Sequence, residues 1–156
     1  LRDIRYRQTV GISYTDQEWI YTPLITVDTA MAHPNVIYKY LIGREEQTRN
    51  PKLLKRNISH NEQCCRRIIG DYKMLPKFEY AKQEYVDYRF KLTITAMYYW
   101  YLIQYPDLDI QQLIRFSDYI RSIDPAYIRL LDEHRLKYTH LHYIKQWHKN
   151  LLFLPV

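Results

Sequence analysis

A chain of 156 residues, 47% of them hydrophobic and 26% charged, is long enough for one packed domain and too apolar for intrinsic disorder. Its three glycines, Gly11, Gly43 and Gly70, stand far apart, which excludes a P-loop or a dinucleotide-binding fingerprint. The net charge of +6 points to nucleic acid, anionic lipid or an acidic protein as partner, without choosing among them.

Residues 1–50 read as an irregular arm with short helices. Thr15-Asp16-Gln17-Glu18 has the form of a capping box for a helix that ends before Pro23. Over 33–43, Pro34 in the first turn and Gly43 at the close predict another. Asn50-Pro51 opens a third short helix through Lys55 and Arg56, and with it a helical domain over 51–156.

Within that domain Ser59-His60-Asn61-Glu62 forms a second capping box, predicting a helix to Met74 that Gly70 weakens. Leu75-Pro76 interrupts it. A long helix is then expected over about 77–105, ended by Pro106; at about 1.5 Å per residue it spans roughly 42 Å. Asp107 or Asp109 caps a helix over 110–121, and Asp124-Pro125 opens a final one to about Lys149. The expected fold class is therefore all-α: an irregular N-terminal arm followed by about four core helices, one of them long. The last six residues, 151–156, are apolar and need cover.

The uncharged run 92–105 falls short of the roughly 20 apolar residues that cross a bilayer. It reads as a helix buried on most sides, with a helix lying among lipid headgroups as the other reading. Aromatic composition adds a second clue, since 17 Tyr and 3 Trp exceed what a small core can cover. AT-biased codon usage would also raise Tyr and Ile. Four consecutive aromatics, Tyr98, Tyr99, Trp100 and Tyr101, point all round a helix, so they are expected to divide between the chain's own core and a neighbour. Lys145, Trp147 and Lys149, in the stretch after Glu133 that holds no acid, join them as expected partner contacts.

Catalytic and metal-binding patterns do not assemble. His134, His140, His142 and His148 are placed on the last helix, where the pairs 134/142 and 140/148 stand eight residues, or about 12 Å, apart. Metal-binding helices put ligands three or four apart, so no metal is expected. Cys64-Cys65 are adjacent, which strains an intrachain disulfide and implies thiols in a reducing compartment, somewhat activated by Arg66 and Arg67. Glu45-Glu46 read as solvated surface. Basic residues alternate with aromatics in Arg5-Tyr6-Arg7, Tyr72-Lys73, Tyr88-Arg89-Phe90-Lys91 and Lys137-Tyr138, a composition suited to RNA, although acids interrupt it over 79–133. The first residues, Leu1-Arg2-Asp3, are expected of either a fragment or a chain that has lost a targeting segment.

Lys55-Arg56, then Arg67-Ile68-Ile69, then Leu75-Pro76-Lys77 followed by Tyr80, Lys82 and Glu84 make a pattern. It resembles the small matrix-facing subunit seven, the ubiquinone-binding subunit, of the mitochondrial cytochrome bc1 complex. Residues after 91 have no counterpart in that family. Asp124-Pro125, Leu130-Leu131, Trp147 and the tail at Phe153 resemble the distal part of the LYR-type accessory subunit of respiratory complex I, with Cys65-Arg66-Arg67 where the Leu-Tyr-Arg signature would stand. Both resemblances imply a non-catalytic, basic, helical subunit on the matrix side of a mitochondrial inner-membrane respiratory-chain complex. Its partners would be other subunits of a large hetero-oligomer, with peripheral contact to anionic lipid admitted. No catalytic residue, cofactor or metal is expected, and the chain is not read as an enzyme. The alternative is an RNA-contacting mitochondrial ribosomal protein.

Overall fold

The computed structural model describes residues 8–20, 29, 31, 33–36, 38, 39, 41 and 50–151. Its elements are α1 (Pro51–Arg56), α2 (Ile58–Lys73), α3 (Tyr80–Tyr99) running into a π-helical turn (Trp100–Gln104), α4 (Ile110–Ile123), α5 (Pro125–Asp132) and α6 (Tyr143–Leu151). Residues 16–20 are helical too, and the described residues contain no strand, so the fold is all-α as expected. The chain forms two compact units, Leu1–Ile68 and Ile69–Val156, divided inside α2.

In the first unit, α1 begins where Asn50 and Pro51 predict. The Asn50 carboxamide oxygen accepts the Lys52 N–H at 3.1 Å, and Pro51 sits where no N–H is needed. The second capping box does not form. Ile58 is buried and draws the start of α2 ahead of Ser59, which stands exposed in the first turn. The Asn57 carbonyl receives the His60 N–H at 3.0 Å instead. Residues 8–20 lie along α2 through side chains: Gln17 Nε2 donates to Asn61 Oδ1 at 2.8 Å, and Arg67 reaches both Thr9 Oγ1 and Glu18.

The expected helix over 33–43 is absent at 33–36, 38, 39 and 41, and its remaining residues lie outside those described. Nδ1 of His33 takes the Asn35 N–H at 3.3 Å, a local bond that competes with helical pairing. Val36, Tyr38 and Leu41 are exposed, so these described residues contribute no buried face of the kind that stabilises a short helix. The apolar tail 152–156 and Arg5-Tyr6-Arg7 also lie outside the described residues.

In the second unit, α3 begins at Tyr80, three residues later than Lys77, because residues 75–79 are non-helical and Phe78 N–H is taken by Gln83 Oε1 at 3.2 Å. Beyond Tyr99 the rod continues as the π turn. The Tyr105 N–H closes it on the Trp100 carbonyl at 2.8 Å, and Pro106 follows. Asp109 caps α4 by accepting the Gln111 N–H at 3.0 Å, and Asp124 caps α5 through the Ala126 N–H at 2.8 Å. The final helix is not continuous to Lys149: α5 stops at Asp132 and α6 starts at Tyr143. The break lets Leu131 and Ile144 both be buried, and lets the Tyr143 hydroxyl donate to the Thr95 carbonyl at 3.4 Å. A straight helix would hold those two side chains roughly 20 Å apart. Phe90, Ile94, Met97 and Tyr98 of α3 share this core with Leu113, Phe116 and Ile120 of α4.

Candidate interaction surface

Packing decides which of the four consecutive aromatics remain outside. Tyr98 is fully buried; its hydroxyl and that of Ser117 are 2.8 Å apart, and burial raises its pKa. Tyr101 is buried as well. Both belong to the chain's own core, which removes them from the surface expected to meet a partner. Tyr99 keeps 37% of its surface exposed and Trp100 is half-buried. On α6, Trp147 sets its ring edgewise to Tyr98 at 5.8 Å, while Lys145 and Lys149 are exposed one turn apart.

Tyr99 belongs to a longer feature. Tyr85, Tyr88, Leu92, Tyr99 and Ile103 are all exposed, and Ala96 between them is half-buried. Spacings of three and four residues place them on one face of α3 and its π turn, along roughly 27 Å. Opposite lie Val86, Phe90, Ile94 and Met97, all buried. The helix is thus apolar on two faces, one in the core and one in solvent. A contiguous exposed stripe of this kind marks an interaction surface more often than scattered apolar residues do.

A second exposed feature is the connection between α5 and α6. The Leu136 N–H donates to the Leu141 carbonyl at 2.9 Å, and the Thr139 N–H closes a turn on the Leu136 carbonyl at 3.0 Å. Tyr138, at the third position of this turn, has φ +64°. Type II turns give that position to glycine; for a bulky side chain it costs roughly 1–3 kcal/mol. Tyr138 is 91% exposed, and Lys137 Nζ lies 4.7 Å from the centre of its ring.

The histidines are dispersed by the same connection and do not share one helix. Nε2 of His142 accepts from Arg135 Nε at 3.2 Å, so its Nδ1 carries the proton and donates to the Asp132 carbonyl at 3.1 Å. His148 Nδ1 lies 2.7 Å from the Asp132 carboxylate, with Nε2 buried and without a hydrogen-bond partner. An imidazole oriented by a carboxylate resembles half of a proton-transfer site. Tyr98 and Trp147 pack against this ring, and its Nε2 is buried. Burial, with Lys91 and His142 nearby, lowers the pKa of His134. Among the described residues no group of His, Cys, Asp and Glu is arranged to hold a metal ion.

Neither cysteine is activated. Burial first, then the charges of Glu18 and Asp16, pushes the Cys64 thiol up to about 12 against a smaller opposing effect of Arg67. Burial raises Cys65 as well. Proximity in sequence to Arg66 and Arg67 misled because Arg66 turns to Glu62 at 2.8 Å and Arg67 to Glu18 at 3.3 Å.

A cleft of about 310 Å³ opens beside the turn before α3, walled by Tyr72, Phe78 and Tyr127 with Lys73 and Lys77 among its lining residues. Two of its polar lining groups are engaged by Asp87, which accepts from the Tyr72 hydroxyl and from Gln83 Nε2. The chain matches no protein-family model, and no curated protein and no solved structure is significantly similar to it.

Proposed function

We propose that this chain is a non-catalytic accessory subunit of a mitochondrial inner-membrane respiratory-chain complex, bound peripherally on the matrix side and serving stability or assembly. The observation that carries the reading is the exposed apolar stripe of α3, Tyr85 to Ile103, which gives a subunit interface its usual aromatic and aliphatic composition. The basic balance, the buried thiols without a disulfide and the two family resemblances support the same reading. Among the described residues no helix is long and apolar enough to cross a membrane, in keeping with peripheral attachment.

The second reading, an RNA-contacting mitochondrial ribosomal protein, draws on Lys137 and the exposed Tyr138 ring, a cation and a stacking face side by side. The two separate by sedimentation. The tagged full-length chain is extracted in mild detergent and run on a gradient with and without ribonuclease. Co-migration with cytochromes, unchanged by nuclease, is the expected result. Migration with a large particle that collapses on nuclease treatment overturns the respiratory assignment.

A further inference from the structure

We infer that Tyr138 is a preorganised anchor: its ring inserts into an apolar pocket, rimmed by carboxylates, on a neighbouring protein subunit. The inference rests on the accessory-subunit reading and adds a second contact, separate from the stripe on α3. Four observations converge on it.

The first is the backbone. A tyrosine holds a left-handed conformation, φ +64°, that turns of this type assign to glycine. Side chains at such positions persist where the surroundings enforce them, and they cluster at ligand clamps and switches. Second, the surroundings here do enforce it. The Leu136–Leu141 and Thr139–Leu136 backbone bonds close the loop, and Thr139 Oγ1 ties in twice, donating to the Leu136 carbonyl and accepting from the Leu141 N–H at 3.1 Å. Third, nothing in this bracing uses the Tyr138 ring, and the residue is 91% exposed. The loop therefore holds the ring out at a conformational cost that brings no burial within the chain. Tyrosine is among the side chains enriched at the energetic centres of protein interfaces, and a backbone already fixed has little entropy left to lose on binding.

The fourth observation is charge. From His134 to Leu151 the sequence holds Arg135, Lys137, Lys145 and Lys149 and no carboxylate, and Lys137 lies over the ring itself. A pocket that accepts this ring must take Lys137 with it, so its rim is acidic.

The strain gives the test unusual leverage, because substitution by glycine should act in opposite directions on folding and on binding. Tyr138→Gly relieves the left-handed strain, and the melting temperature of the isolated full-length chain should stay level or rise. Incorporation of the same variant into its native particle, competed against wild type, should fall at least tenfold. Tyr138→Asn, which tolerates the backbone conformation but has no ring, should behave alike, and Tyr138→Phe should incorporate normally. Lys137→Glu should reduce incorporation without changing the melting temperature. Wild-type incorporation of the glycine and asparagine variants would overturn the inference, as would a marked fall in melting temperature, since the ring would then serve the fold. If the incorporation defect appears only in a particle that ribonuclease dissolves, the ring stacks on RNA and the protein pocket is refuted. Should the chain migrate with a nuclease-resistant particle other than a respiratory complex, that assignment fails while the anchor is still judged by its own variants.

Discussion

Cys64 and Cys65 show how far a local reading of residue chemistry reaches. Two arginines follow them directly, and a cation near a thiol ordinarily favours the thiolate. In the folded chain both sulfurs are buried, and Glu18, brought in from residues 8–20, outweighs Arg67. Because the folded pKa of Cys64 is raised to about 12, thiolate is scarce at neutral and mildly alkaline pH. Titration of the native protein with an aromatic disulfide at pH 8 should therefore show almost no fast reaction, and two equivalents after denaturation in guanidinium. Rapid release of one equivalent from the native chain would mean that this packing of Glu18 against α2 is wrong. The same reasoning applies to Tyr98, whose hydroxyl found a partner in Ser117 across α4. No spacing rule connects residues 98 and 117; only the packing of two helices does.

At the level of elements, the caps were legible because capping is local. Asn50, Asp109 and Asp124 each stand one residue before the helix they start and bond a backbone N–H within two residues. Asp124 also serves as the C-terminal cap of α4 through its backbone N–H, which donates to the Ile120 carbonyl, so one residue shapes the corner between α4 and α5. Asp124→Ala should destabilise the protein by about 1 kcal/mol, a drop of roughly 3 °C in melting temperature by circular dichroism. A change below half a degree would remove the cap from the account. The break between α5 and α6 was not legible, since residues 133–142 contain neither Gly nor Pro to signal it. What decides it is tertiary: α6 folds back so that Ile144 and Tyr143 join the core of α3 and α5. The helix expected over 33–43 is the opposite case: its local signals are good, but its described apolar residues Val36, Tyr38 and Leu41 stay exposed. Of the candidate contacts, the aromatic run 98–101 was visible in sequence, but its division was not. Tyr serves equally on a core face and on an outer one, so α3 offers two apolar stripes and periodicity alone cannot rank them.

For the whole molecule, the ranking of those stripes bears on whether the chain is complete by itself. One face of α3 is buried by Phe116, Leu131 and their neighbours, and the other carries Tyr88 at 53% and Tyr99 at 37% exposure. Burying a large aromatic contributes through roughly 150–250 Å² of area at about 25 cal/mol per Å², so several such rings left in water represent binding free energy not yet used. Tyr99 is still mostly buried within the chain, whereas Tyr88 and Tyr85, the latter 49% exposed, stand further out, and surface replacements usually change stability by less than about 0.5 kcal/mol each. Tyr85→Ser combined with Tyr88→Ser should accordingly leave helical circular dichroism and melting temperature near wild type. In cells, the same double variant should be largely lost from the particle that carries the wild-type chain, with the unassembled fraction sedimenting slowly. Replacing a buried ring of the same helix instead, Tyr98→Ser, should reverse the order of effects. It leaves a cavity beside Ser117, lowers the melting temperature by several degrees, and reduces assembly only as far as folding is lost. If the outward pair unfolds the chain, or assembles at wild-type level, the stripe is not the surface that joins this protein to its neighbours.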